Sequence, residues 1–432
     1  MESINLRDQL SQLPPIRRDL LDRCAALARD LGALPYLVGG TVRDLILGRR
    51  TLDLDLVVVG DVLAVARAAH AALGGHLVVH AAFGTATLTL PDGPWIDLIT
   101  ARHEHYPAHG ALPVVAPGTL DEDLRRRDFT LNALAIALTP ADYGTLIDPL
   151  GGRADLISGT VRILHDASFL DDPTRLLRAV RYAERLTAGT DHPFAFDSTT
   201  AARFNEAVAA HAVATISVQR LAHEFVRLLA EPAAAAMLAY LATTGLLPQI
   251  ESRVRWDDTS AAQFATLDRL WPLAERPDAI WQGRFALLAA HQPPDLAADT
   301  AAALHLPASA IDLAREAAAL RQLAPTMPAH PASAELGRLL DPYSPATIVT
   351  AAALLSPGSY RDQLQRYLTT IRPLKPALTG DAIRALGVPP GPIYRHALAA
   401  LRDHKRNHPA LTTDDERAFL IAWLREQGAL AQ

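Results

Sequence analysis

In the run "RRTLDLDLVVVGD" two aspartates, Asp53 and Asp55, interrupt a leucine- and valine-rich stretch at alternate positions. A side-chain period of two belongs to an extended strand, with Leu52, Leu54 and Leu56 on one face and both carboxylates on the other. The carboxylates then stand about 7 Å apart at their Cα atoms. At that spacing each disfavours ionisation of the other unless something positive lies between them. A divalent cation is one such charge; the alternative is an edge strand whose polar face meets only water.

The flanking sequence separates these readings. Upstream, "YLVGGTVRDLILG" places a strand-like run before Gly39 and Gly40, then a helix carrying Arg43 and Asp44. Paired glycines let a backbone approach a ligand closely, and a helix's first turn with an arginine suits a polyphosphate. A carboxylate pair beside a phosphate cradle is what nucleotidyl transfer requires, because metal ions held by the aspartates can bridge a nucleoside triphosphate. Asp97 in "WIDLIT" offers a third carboxylate, as a catalytic or a structural residue.

Two further clusters carry arginine. In "DEDLRRRDFTLNALAIAL", Arg125, Arg126 and Arg127 precede Asp128 and Asn132 at the mouth of an apolar segment that would anchor them rigidly. In "FLDDPTRLLRAVRYAERL", Pro173 suits a first helical turn and Asp172 the N-cap before it. Asp172, Arg175, Arg178 and Arg181 recur every three residues, a row that shares a face and drifts around the helix. Asp172 and Arg175 also place an acceptor beside a donor. Cytosine and adenine present an amino donor next to a ring-nitrogen acceptor, and uracil and guanine reverse that order, so such a pair accepts C and A and rejects U and G.

Composition narrows the setting. The 432 residues, 50% of them hydrophobic, provide for two or more domains with true cores. A net charge of −6 argues against bulk attraction to nucleic acid, so an RNA partner needs a local basic surface. The only cysteine, Cys24, excludes internal disulfides and reads as core. A charged amino terminus and the lack of about 18 consecutive apolar residues predict no membrane span and a cytoplasmic location.

Residues 1–32 read as helical, and 33–152 as a mixed region of short strands ("YLVGG", "LDLDLVVV", "HLVVH", "TATLTL", "WIDLIT", "TLIDPL") and helices. From about residue 153 alanine- and leucine-rich helical patterns run on, divided at "DHPF", "LLPQ", "HQPPD", "APTMPAHPA" and "IRPLKP".

With these clusters in order, the sequence resembles the class II tRNA nucleotidyltransferases, the family of CCA-adding enzymes and bacterial poly(A) polymerases in the polymerase-β-like superfamily. The matching stretches are "LVGGTVRD", "LDLDLVVVG", "RRRDFTLNALA", "DDPTRLLRAVRYAERL", "ISVQRLAHEFVRLL" and "LTGDAIRALGVPPGPIYRHAL". The resemblance implies an α+β chain: a polymerase-β-like nucleotidyltransferase head with a mixed sheet (33–152), then an all-helical neck (153–230), body (231–375) and a tail that binds tRNA (376–432).

It also implies that Asp53 and Asp55 bind catalytic Mg²⁺, with Asp97 a secondary catalytic candidate. Gly39, Gly40, Arg43, Asp44, Arg126, Arg127, Asp128 and Asn132 would surround the nucleotide's phosphates and ribose. Asp172 and Arg175 would be the amino-acid template for C and A, with Arg178 and Arg181 nearby. The expected partners are CTP, ATP and the tRNA acceptor arm. The expected product is CCA, with CC-only, A-only and poly(A) synthesis and a non-catalytic RNA-binding protein as rivals.

Asp171 stands where the family usually has glutamate. Gln219 replaces a glutamate of the fifth motif and is assigned a helix-packing role. Two motifs read as decoys: the Asp403-His404 pair, without partners for a phosphohydrolase site, and "ARHEHYPAH", whose His103, Glu104 and His105 fall in an expected loop.

Overall fold

A computed structural model of the protein describes residues 4–51, 53–91, 93–188, 192–328 and 330–430; Leu52 lies outside them. The chain divides into two units, Met1–Glu224 with Glu231–Gln249, and Phe225–Ala230 with Ile250–Gln432.

The first unit is organised on nine described strands between residues 34 and 147; six fall in the runs read from the sequence, and those at 102–105, 114–117 and 135–137 were not read as strands. The nine are β1 (Leu34–Val38), β2 (Asp55–Val59), β3 (His76–His80), β4 (Thr85–Thr89), β5 (Trp95–Thr100), β6 (Arg102–His105), β7 (Val114–Pro117), β8 (Ala135–Ala137) and β9 (Leu146–Ile147). Seven of them form one sheet in the order β3-β4-β5-β2-β1-β8-β9. β2 is central, antiparallel to β1 and parallel to β5, so the sheet is mixed. β6 and β7 make a separate antiparallel pair.

The alternation around Asp55 has a direct structural meaning. Leu54 and Leu56 are fully buried. After the short helix α1 (Arg7–Ser11), the helices α2 (Pro15–Asp30) and α4 (Val62–Leu73) pack against the sheet strands. α2 buries Leu20, Leu21, Cys24, Ala25 and Ala28, and α4 buries Val62, Val65, Ala66 and Ala69, each at helical spacing. Asp61 starts α4 by accepting from the Ala64 N–H at 2.9 Å. Beyond Asp55 the other face is closed as well: Val38, Val57, Ala101, Leu124 and Ala135 form a buried cluster. That two-sided burial is why "LVVV" loses its alternation.

Helix α3 (Gly40–Ile46) follows β1, and α5 (Leu120–Arg125) opens with a capping box between Thr119 and Glu122. After α6 (Gly152–Ser158), α7 (Ser168–Asp171) leads into α8 (Thr174–Thr187). Pro173 occupies the N-cap of α8, one residue later than the sequence suggested, with Asp172 extended before it. The Asp172 carboxylate still caps, accepting from the Thr174 N–H at 3.1 Å and Thr174 Oγ1 at 2.7 Å. α9 (Ser198–Ala209), α10 (Val218–Ala230) and α11 (Ala234–Thr243) follow, and α11 packs on α8.

From residue 153 on, the described strands are the two-residue pairs Thr160–Val161 and Ala195–Phe196. The second unit is helical, from Ser260–Leu270 to Thr413–Glu426. Its last helices enclose Ile383, Val388, Ala397, Leu420 and Leu424. There the Asp403-His404 pair has structural work: Asp403 bonds Arg338 at 2.5 Å, and His404 stacks on Phe419 with centroids 3.9 Å apart. Among the described residues no helix is long and apolar enough to cross a membrane.

Candidate active site

Asp55 and Asp97 stand opposite each other on the parallel strands β2 and β5, whose spacing is about 4.8 Å. Asp55 is half-buried, and its carboxyl is pushed up to about 6 by burial. The Arg127 guanidinium opposes that shift, and Asp97 and Asp53 add to it. Asp97 is tethered by Thr87 Oγ1, which donates to Oδ1 at 2.5 Å. Asp53 is exposed just before β2, where its backbone carbonyl accepts from Thr41 Oγ1 at 2.6 Å. Gly39 has φ +70°, and a Cβ there would come within 2.9 Å of Arg127 Nη1 and 3.6 Å of Asp55 Oδ2. At this positive φ glycine fits the turn without displacing the guanidinium, while the distance to the acid is an ordinary contact.

A cavity of about 500 Å³ opens beside Asp55. Arginines reach it held in place by carboxylates. Asp123, fully buried, takes Arg126 Nη2 at 2.5 Å on one oxygen and Arg127 Nη2 at 2.8 Å on the other. Asp128 accepts Asn132 Nδ2 at 3.0 Å on Oδ1, and on Oδ2 Arg178 Nε at 3.0 Å and Nη2 at 2.5 Å. Its carboxyl lies at about 2, because Arg178 and the Asn132 hydrogen bond outweigh the large opposing effect of burial. Asn132 Oδ1 in turn accepts Arg43 Nη1 at 2.7 Å. The Tyr182 ring lies under the guanidiniums of Arg43, Arg178 and Arg181, at 5.3, 5.7 and 5.2 Å. These are cation–π distances.

Across the cavity, Arg175 is buried and donates to Ser168 Oγ at 2.7 Å and to the Arg126 carbonyl at 3.0 Å. Asp172 Oδ1 accepts Arg220 Nη2 at 2.9 Å in addition to the Thr174 bonds.

Residues 35–162 match the family model described as the poly A polymerase head domain, and residues 194–252 match the probable RNA and SrmB-binding site of polymerase A. The CC-adding tRNA nucleotidyltransferase of Deinococcus radiodurans is 36% identical over 90% of this chain and 89% of its own length. The chain belongs to the class II tRNA nucleotidyltransferase family. The A-adding tRNA nucleotidyltransferase of Geobacter sulfurreducens is 32% identical over 94% of this chain, and the chain spans about half, 48%, of that relative's length. The solved structure of the Thermotoga maritima CCA-adding enzyme complexed with tRNA_CCA superposes with a TM-score of 0.73 at 28% identity, over 98% of this chain and 100% of the other.

For a member of this family, the structure places the sequence-derived residues unevenly. Gly39, Gly40, Asp55, Arg126, Arg127, Asp128, Asn132, Asp172, Arg175 and Arg178 line the cavity. Asp53, Asp97, Asp44 and Arg43 stand behind or beside that lining; Asp44 Oδ1 accepts Arg43 Nε at 2.9 Å and so orients it. Arg181 does not line the cavity. It is buried, with Nη2 3.3 Å from Glu224 and Nη1 3.7 Å from Glu231. Steps of three residues turn a helix row back by about 60° each, and that drift carries Arg181 out of the site.

Sequence reading missed Arg102, Glu104, Tyr106 and Tyr182 on the lining. The supposed loop around Glu104 is strand β6. Glu104 Oε1 bridges Arg102 Nη2 and Arg126 Nη1, both at 2.9 Å, and His103 and His105 alternate outward as exposed residues. The period-two alternation in "RHEH" was the available signal. Gln219 is exposed, contrary to the helix-packing role assigned to it; its neighbour Arg220 reaches Asp172.

The site fits a divalent cation by its donor chemistry. Asp55 and Asp97 are like charges held in register, Asp53 stands beside them, and burial leaves Asp55 with Arg127 as its opposing charge. Carboxylate oxygens suit a hard cation, and Mg²⁺ in nucleotide sites takes one or two carboxylates with the rest from phosphate and water.

Proposed function

We propose that this chain adds C and A to the 3′ end of tRNA without a nucleic-acid template, transferring CMP or AMP from CTP or ATP and releasing pyrophosphate. The observation that carries the reading is that Asp172 and Arg175 line the same cavity as Asp55. A pair able to distinguish base edges thus faces the carboxylate that nucleotidyl transfer needs. A cytoplasmic setting belongs to the proposal and rests on the single, buried cysteine.

Asp53 and Asp55 would hold Mg²⁺. When bound, it supplies positive charge to the triphosphate and makes a ribose hydroxyl easier to deprotonate. The chain's own residues bind and orient. Arg127, fixed by Asp123, and Arg43, fixed by Asp44 and Asn132, present guanidiniums to the phosphates at low entropic cost. Tyr182 keeps three guanidiniums in place. Asp172 accepts from the exocyclic amino group of C or A, while Arg175 donates to the adjacent ring nitrogen. With uracil or guanine the same pair meets acceptor against acceptor and donor against donor, which leaves buried polar groups unpaired.

The test is extension of three tRNA transcripts, ending before CCA, after C and after CC, with CTP and ATP separately and together, in Mg²⁺ and in chelator, followed by 3′-end sequencing. Completion of all three to CCA is expected. Stopping at CC, or adding a single A only to the CC-ended transcript, would reassign the product to a split system. Long A tails would indicate poly(A) synthesis, and no extension would leave an RNA-binding protein. Asp53→Ala is expected to abolish incorporation with tRNA binding retained.

A further inference from the structure

The selectivity argued above depends on which oxygen of Asp172 meets the base. Among the described residues, every hydrogen bond that carboxylate accepts falls on Oδ1: the Thr174 N–H at 3.1 Å, Thr174 Oγ1 at 2.7 Å and Arg220 Nη2 at 2.9 Å. Oδ2 accepts none of them. The Thr174 bonds come from the next turn of chain, while Arg220 arrives from α10, 48 residues away.

The other arm of Arg220 is anchored too. Nη1 donates to the Gly110 carbonyl at 2.8 Å. Gly110 is a buried residue at φ +72°, where a Cβ would lie 2.1 Å from Thr215 Oγ1. The Gly110 N–H donates to the carbonyls of Leu170 and Asp171 at 3.0 and 3.2 Å. Both arms of the guanidinium therefore end on the short stretch around Asp172: one on its carboxylate, the other on a turn fastened to the residues just before it. A planar fork held at both tips cannot swing, and neither can the oxygen it grips.

We infer that Arg220 is a positioning residue for base selection: it pins Asp172 through Oδ1 so that Oδ2 is the acceptor presented to the incoming base. The inference rests on the reading of Asp172 and Arg175 as the base-reading pair. Cytosine and uracil differ in the order of donor and acceptor along one edge, so telling them apart requires reading atoms fixed in that order. A carboxylate free to turn or slide can meet the ring N–H of uracil or guanine while Arg175 takes the neighbouring carbonyl. Loss of Arg220 then relaxes discrimination more than it slows transfer of the correct nucleotide.

The experiment measures kcat/KM for CTP and for UTP on a tRNA transcript lacking CCA, for wild type, Arg220→Ala, Arg220→Lys and Asp172→Ala. In Arg220→Ala the CTP-to-UTP ratio is expected to fall on the order of tenfold, the effect of one charge-assisted hydrogen bond. Added guanidinium ion at low millimolar concentration should restore part of it. Arg220→Lys, which reaches one acceptor but not both, should lie between.

An unchanged ratio in Arg220→Ala, with activity lowered equally for both nucleotides, would overturn the inference while leaving the base-reading pair intact. An unchanged ratio in Asp172→Ala would instead overturn the base-reading proposal itself. If Arg220→Ala fails to fold, Arg220→Lys decides alone: a lowered ratio supports the positioning role and a wild-type ratio refutes it.

Discussion

Asp128 is the most connected acid near the cavity, and its removal has a calculable cost. The native fold holds its carboxyl at about 2 against an ordinary 3.8, a gap corresponding to about 2 kcal/mol of stability at neutral pH. Asp128→Asn keeps the size but removes the charge. One end of the amide must then face donors it cannot satisfy, either Arg178 or the pair Asn132 Nδ2 and Phe129 N–H, at about 1–3 kcal/mol. Arg178 keeps partial compensation, since its Nη1 lies 3.6 Å from Glu224 Oε1 and its side chain is 26% exposed, so the sum belongs near the low end, about 3–4 kcal/mol. The sign with pH follows. A depressed carboxyl contributes fully above its unfolded value, and the contribution fades as pH falls from about 4 towards 2. Urea denaturation of wild type and variant, followed by circular dichroism at pH 7, 5 and 3, should show a constant gap at the two higher values and a narrower one at pH 3. A variant as stable as wild type at pH 7, or a gap unchanged at pH 3, would refute this account.

Gly39→Ala must place a side chain at φ +70° and ψ −134° and push Arg127 Nη1 away from a 2.9 Å contact; a stability loss of about 1–3 kcal/mol with a raised KM for nucleotide is expected, and an unaltered KM would show that Arg127 does not touch it. Tyr182→Leu removes the ring beneath three guanidiniums, and a loss of about 1 kcal/mol in nucleotide binding, read by isothermal titration calorimetry, is expected at unchanged overall secondary structure. Cys24 is fully buried and its thiol is pushed up to about 12 by burial, so a thiol reagent should find no reactive group in the native protein at pH 8 and one per chain after denaturation; rapid native labelling would contradict that placement.

What the sequence disclosed and what it withheld divide along a physical line. Asp55 was legible because strand alternation is local: Leu54 and Leu56 are buried, so Asp55 had to face the other way, whereas Asp53 stands just before the strand and Asp97 belongs to the neighbouring strand β5. The mixed sheet followed from runs such as "HLVVH" and "TATLTL", which do pair as β3 and β4. Tyr182, Glu104, Asp123 and Arg220 were not legible as site residues because their roles exist only across the fold. Glu104 meets Arg126 from 22 residues away, and Arg220 meets Asp172 from 48. A charged residue in a sequence carries no label for its partner.

Asp123 shows the consequence most plainly. In "DEDLRRRD" it reads as one acid in a solvated charge run, yet it is fully buried with both oxygens committed to Arg126 and Arg127. The helix α5 makes this possible: positions three and four apart share a face, so Asp123 meets both arginines at once, while Arg125 turns outward to Asp121. Arg127, held there, is the positive group that opposes the raised carboxyl of Asp55. Asp55 is therefore opposed by a cation the fold has fixed, and a divalent ion bound at the open face, as proposed, would add a second. If Asp123 were lost, Arg127 would be free to leave, Asp55 would hold its proton to higher pH, and the same face would be a poorer metal ligand at neutral pH. Asp123→Asn should thus weaken Mg²⁺-supported incorporation in a way that raising the pH repairs, whereas a defect independent of pH would place Asp123 in packing alone.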